Sequence, residues 1–95
     1  MFIDDFIWLP DIEDKLFSKH QVTTDEAEDA FFNRPLYRFV ETGKRPGEDV
    51  YSVLGQTNAG RYLIVFFIRK MNHIALIISA RDMDRGERKY YERKR

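Results

Sequence analysis

Six consecutive apolar residues, Leu63-Ile64-Val65-Phe66-Phe67-Ile68, constrain this chain more than any other stretch. An unbroken run of branched and aromatic side chains offers no polar face to water, so a strand built from it must be buried on both sides. The run is also far too short to cross a bilayer. It predicts a central strand over 61–69, and the rest of the chain has to supply the neighbours that bury it.

Those neighbours are legible. Residues 36–41 alternate and carry Tyr37, Phe39 and Val40, which suits a strand. A polar loop with two glycines and Pro46 follows, then a second strand over 49–54. Residues 55–60 read as a hairpin connection into the central run. Lys70-Met71-Asn72 turns the chain, and residues 74–79 return antiparallel. Before all of these, Phe6-Ile7-Trp8-Leu9 forms a short first strand that Pro10 stops.

Three helices complete the pattern. The first begins at Pro10 with Asp11 as a candidate N-cap, shows Ile12, Leu16 and Phe17 at helical spacing, and runs to His20. The second is announced by Thr23 and Glu26 at capping-box spacing, with Val22 and Ala27 placed for a hydrophobic staple. Acidic residues fill its early turns, as the helix dipole favours, and Asn33-Arg34-Pro35 ends it. The third starts at Asp84 with Glu87 three residues on, and carries Arg85, Arg88, Lys89 and Arg93. Gly86 in its first turn costs about 1 kcal/mol relative to alanine, so this helix depends on docking. The expected fold is one α+β domain over 1–95: a short N-terminal strand, two helices, a four-stranded antiparallel meander and a basic C-terminal helix. Helices on one face of the sheet would make it two-layered.

Charge narrows the function. The net charge is zero, but residues 1–49 hold twelve acids and six bases, while residues 50–95 hold four acids and ten bases. Net values of −6 and +6 point either to an anionic partner for the second half or to neutralisation between the halves. Cysteine is absent, which removes disulfides, thiolate metal sites and a thiol nucleophile. Neither His20 nor His73 lies in a ligand-spaced cluster, so no metal and no cofactor is expected. Without a basic, then apolar leader the chain reads as soluble and cytoplasmic, with no membrane partner.

RNA cleavage is within reach of the side chains that remain. The 2′-hydroxyl attacks the neighbouring phosphorus, so the protein needs only proton transfer and positive charge. His20 is the candidate for proton transfer, since imidazole titrates near neutrality, and Lys19 adjoins it. The plainer reading of His20 is a helix-terminal residue that meets the last carbonyls. Arg81 is suited to a phosphate, or to an ion pair with a neighbouring acid. Arg61 presents a cation at the mouth of the central strand, or only flanks a turn. Lys44 and Arg45 can close over a phosphate or stay solvated in their loop. Of Tyr90 and Tyr91, one packs the last helix to the sheet and one is available. The tail Arg93-Lys94-Arg95 reads as a solvated end.

Taken together, WLPDIEDKLFSKH, TTDEAEDAFFNRP, RPGEDVY…LGQTNAGRYLIVFF and IISARDMDRGERKYYE resemble the BrnT family, toxins of type II toxin–antitoxin pairs with a RelE-like fold. The resemblance covers nearly the whole chain in order. It is sharpest at Lys19-His20, at Gly60-Arg61, and at Ile78-Ser79-Ala80-Arg81 followed by Glu87 and Tyr91. It implies a metal-independent endoribonuclease that inhibits translation. Its partners would be an RNA substrate and a BrnA-like ribbon–helix–helix antitoxin, with operator DNA met only through the antitoxin complex. By position it implies Lys19, His20, Arg61 and Arg81 as catalytic, and Lys44, Arg45, Arg85 and Tyr91 are the candidate RNA contacts. The chain departs from the family pattern at Gln21, where glycine is common, and at Val50 and Leu76, where arginines are common. Those two losses motivate an alternative, a protein of the same fold that binds an antitoxin-like partner or RNA without cutting.

Overall fold

The computed structural model describes residues 1–94, so Arg95 of the basic tail lies outside it. The elements are β1 (Asp5–Ile7), α1 (Pro10–His20), α2 (Thr24–Asp29), β2 (Leu36–Glu41), β3 (Val50–Gln56), β4 (Tyr62–Lys70), β5 (Ile74–Asp82) and α3 (Arg85–Lys94). The strands form one five-stranded sheet in the order β1-β5-β4-β3-β2. β2 to β5 are the expected antiparallel meander, and β1 adds to the outer edge of β5 in parallel.

β4 has a strand on each side, as its apolar run requires. Alternate residues go to opposite faces of the sheet. Leu63, Val65 and Phe67 join Leu16, Val22, Ala27, Ala30 and Phe31 in the larger core, beneath α1 and α2. Ile64 and Leu54 instead pack with Tyr91 of α3. The third helix therefore covers the opposite face, which corrects the expectation of a two-layer domain within an otherwise expected α+β fold. A run that is apolar at every position needs cover on both sides, and α3 provides it for the half of the face that includes Ile64.

Local chemistry explains most element ends. α1 starts with Pro10 at its first turn and Leu9 as N-cap, with no side-chain cap. Asp11 is thus inside the helix, where it favours the positive end of the dipole but does not cap. The Thr23/Glu26 capping box is present in both directions, and Val22 and Ala27 are buried beside it. Asp84 and Glu87 make the same reciprocal bonds at the start of α3, with N–H to carboxylate distances of 2.7 and 2.9 Å.

Two strands run longer than expected. β3 continues through Gly55, which paired with Leu63 lies so close to α2's last turn that a Cβ would collide with the Ala30 carbonyl. β5 continues to Asp82, which pairs with Leu63, so Arg81 lies within the strand. β1 is correspondingly short and ends at Ile7.

Candidate active site and nucleic-acid contacts

Arg61 stands where four elements converge. Its Nε and Nη2 donate to Asp82 Oδ1 and Oδ2 at 2.7 and 3.1 Å. Its Nη1 reaches Glu26 at 3.2 Å, and Nη1 and Nη2 also donate to the carbonyls of Gln21 and His20 at 2.8 and 2.9 Å. One guanidinium thus ties the end of β5 to the start of α2 and caps the C-terminal carbonyls of α1. Hydrogen bonds with Asp82 raise the Arg61 pKa, against an opposing effect of burial. The same bonds hold Asp82 below the usual carboxylate range, and nearby His20 lowers it further. Burial works against the charge of Glu26, but bonds from Thr23 and Arg61 outweigh it and lower its pKa as well.

His20, half-buried at the end of α1, lines a crevice between that helix and β5 with Lys15, Lys19 and Ser79. The crevice encloses about 230 Å³, and Ile12, Leu16 and Ile78 form its apolar walls. Lys15 and Lys19 are exposed, one helical turn apart, and make no ion pair among the described residues. Lys15 escaped the sequence reading, although its spacing of four from Lys19 puts both on one helix face.

Arg81 lies on the other side of the sheet. Its Nη1 and Nη2 donate to Glu87 Oε1 and Oε2 at 2.7 and 2.8 Å, the fork-to-fork geometry of a strong pair. These bonds raise the Arg81 pKa and lower that of Glu87. The Arg81 guanidinium also sits 5.7 Å from the Phe66 ring centre. Arg38, another residue absent from the sequence candidates, stacks over Tyr90 at 4.5 Å and helps lower the Glu87 pKa.

The structure therefore brings Lys19, His20 and Arg61 together and separates Arg81 from them by the thickness of the sheet. Lys44 and Arg45 are exposed in the β2–β3 loop, next to the β4–β5 turn and at the opposite end of β4 from Arg61. Arg85 is exposed at the start of α3. Tyr91, expected as an RNA contact, is instead fully buried against Leu54 and Ile64, and its hydroxyl donates to the Arg34 carbonyl at 2.8 Å. Tyr90 is the more accessible of the pair. Charge neutralisation between the halves of the chain is slight: among the described residues one ion pair joins them, Arg61 to Glu26.

The departures from the family pattern also find places. Gln21 ends α1 in the left-handed region, at φ 51°, a conformation glycine adopts without cost. Val50 and Leu76 both pair with Ile68, so they fall in one cross-strand row, on the α3 side of the sheet by alternation.

Over residues 8–87 the sequence matches the model of a family of ribonuclease toxins from type II toxin–antitoxin systems. That family is BrnT, and the chain belongs to it. An antitoxin partner and an RNA target come with the membership, and the non-cleaving alternative is not favoured by it. No curated protein matches the chain. Among the described residues, no helix is long and apolar enough to cross a membrane.

Proposed function

We propose that this toxin cuts RNA without a metal ion, at the crevice between α1 and β5. The observation that carries the reading is that Lys15, Lys19 and His20 line one small cavity and so bring a base, an acid and positive charge within reach of one phosphodiester. An imidazole at His20 accepts the proton of the 2′-hydroxyl as the 2′-oxygen attacks phosphorus. The bond from phosphorus to the 5′-oxygen breaks, and the Lys19 ammonium protonates that leaving oxygen. The products are a 2′,3′-cyclic phosphate and a free 5′-hydroxyl. Lys15, with Lys19 until its proton leaves, offsets the charge that builds on the phosphoryl oxygens.

Arg61 then acts as a positioning residue. Its five donors are spent on Asp82, Glu26 and the carbonyls of His20 and Gln21, which fixes the end of α1 and hence His20. Arg81 supports the fold of α3 through Glu87 and meets RNA only on the opposite face.

The partner is a BrnA-like ribbon–helix–helix antitoxin, the complex binds operator DNA through that antitoxin, and the pair works in the cytoplasm. Family membership and the excess of cations in the second half support this reading. A co-purified small ribbon–helix–helix protein that blocks cleavage would bear it out. Cleavage of a short RNA, followed by end-group analysis of the products, tests the chemistry, and a 3′-phosphate formed without a cyclic intermediate would count against it.

A further inference from the structure

A second concavity lies on the α3 face, away from the crevice that holds His20. Arg38, Ser52 and Phe66 form one cross-strand row over β2, β3 and β4. They line a groove of about 270 Å³ with Phe39, Ile64 and Glu87. Its polar groups are incompletely used. Ser52 is only 2 % exposed and makes no side-chain hydrogen bond among the described residues, where no side-chain polar atom sealed from solvent lacks a partner, so its hydroxyl opens onto the groove. A hydroxyl that opens onto a groove can donate to whatever occupies it.

The lone pairs of Glu87 can be counted. Oε1 accepts from Arg81 Nη1 and from the Asp84 N–H, while Oε2 accepts only from Arg81 Nη2. A carboxylate has about four acceptor positions, so one on Oε2 is open. Arg38 is exposed, lies over the Tyr90 ring, acts on Glu87 only through its charge, and makes no side-chain hydrogen bond or ion pair among the described residues, so its donors are free for an oxyanion. Phe66 supplies aromatic surface; Phe39 only borders the groove, because it pairs with Tyr51 and its ring packs on Tyr51 on the other face of the sheet.

We infer that this groove holds one unpaired nucleobase of the RNA, with Glu87 Oε2 accepting an N–H from the base edge. The Ser52 hydroxyl donates to the adjacent ring nitrogen or carbonyl oxygen, Phe66 stacks against the base, and Arg38 meets its phosphate. Every nucleobase offers a face for stacking, and single-stranded RNA is read through edges of this kind. The inference rests on RNA being the substrate but not on where the RNA is cut.

Nucleoside 5′-monophosphates have no bond for the enzyme to cleave, so their binding isolates the groove. The test is titration of the whole protein with each of the four monophosphates and with ribose 5-phosphate, followed by backbone amide NMR. At least one nucleotide should bind clearly more tightly than ribose 5-phosphate and shift the amides of Ser52, Val53 and Phe66. Ser52→Ala should weaken that nucleotide about fivefold, the worth of one hydrogen bond, and Arg38→Gln should weaken nucleotide and sugar phosphate alike. Equal binding of ribose 5-phosphate and all four nucleotides, or shifts confined to the His20 crevice, would overturn the inference. A protein that binds nucleotides here but never cuts RNA would sink the proposed cleavage and leave the groove standing. A protein that cuts RNA but ignores nucleotides would do the reverse.

Discussion

Arg81 and Asp82 are neighbours in β5, and each takes part in a forked ion pair on an opposite face of the sheet. Arg81 grips Glu87 of α3, and Asp82 is gripped by Arg61 beside α1 and α2. The last two residues of one strand thus fasten all three helices. This relationship explains why arginines that look alike in sequence carry different tasks.

Loss of Arg61 should cost stability first. Arg61→Ala leaves two carboxylates unpaired and the end of α1 uncapped. A part-exposed network of this kind is worth about 1–3 kcal/mol. Denaturant unfolding should show that loss, and Arg61→Lys should restore little of it, because an ammonium has no fork for Asp82 and the two carbonyls together.

Acid should loosen both fastenings. The pKa values of Glu26, Asp82 and Glu87 are all lowered in the folded protein. A group with a depressed folded pKa contributes its full stability above its unfolded pKa, and loses it as pH falls through the folded value. Stability should therefore be flat at neutral pH and decline below about 4, near the ordinary range for these acids. Thermal melts of Arg61→Ala across pH 3–7 should show a shallower acid decline than the parent, and an unchanged slope would refute the assignment.

Gln21→Gly should stabilise the protein. Gln21 holds φ at 51°, which costs a residue with a Cβ about 1 kcal/mol that glycine avoids. Its side chain gives some back through a bond to the Ser18 carbonyl at 3.3 Å. A rise of a few degrees in Tm is expected for a domain of this size. A fall in Tm would show that the side-chain bond outweighs the backbone cost.

Chelation should leave cleavage unaltered. The proposed mechanism draws its base, its acid and its positive charge from the side chains that line the crevice. RNA should be cut at the same rate with EDTA present, and a rate that collapses with EDTA and returns with a divalent ion would contradict the mechanism.

Much of the fold was readable because it is set by local chemistry. The Leu63–Ile68 run fixed the central strand, and the two caps at Thr23 and Asp84 fixed helix starts. Which face α3 covers was not readable, since Tyr91 and Ile64 are far apart in sequence and packing alone joins them. The site was harder for the same reason. Lys19-His20 stood out as a pair, but only the folded chain shows that Arg61 spends its donors on α1 and its neighbours. Likewise Val50 and Leu76 are distant in sequence and share a row only through Ile68. Arg38 and Ser52 gave no signal at all, because a cation and a hydroxyl in alternating strands look like ordinary surface positions until the register aligns them.

The most direct measurement is single-turnover cleavage of a short single-stranded RNA, in EDTA, by the parent protein and by His20→Ala. Circular dichroism would confirm that both are folded. Removal of a general base should slow cleavage about 10²- to 10⁴-fold while RNA affinity changes little. Cleavage by His20→Ala at the parental rate would contradict the placement of the active site between α1 and β5.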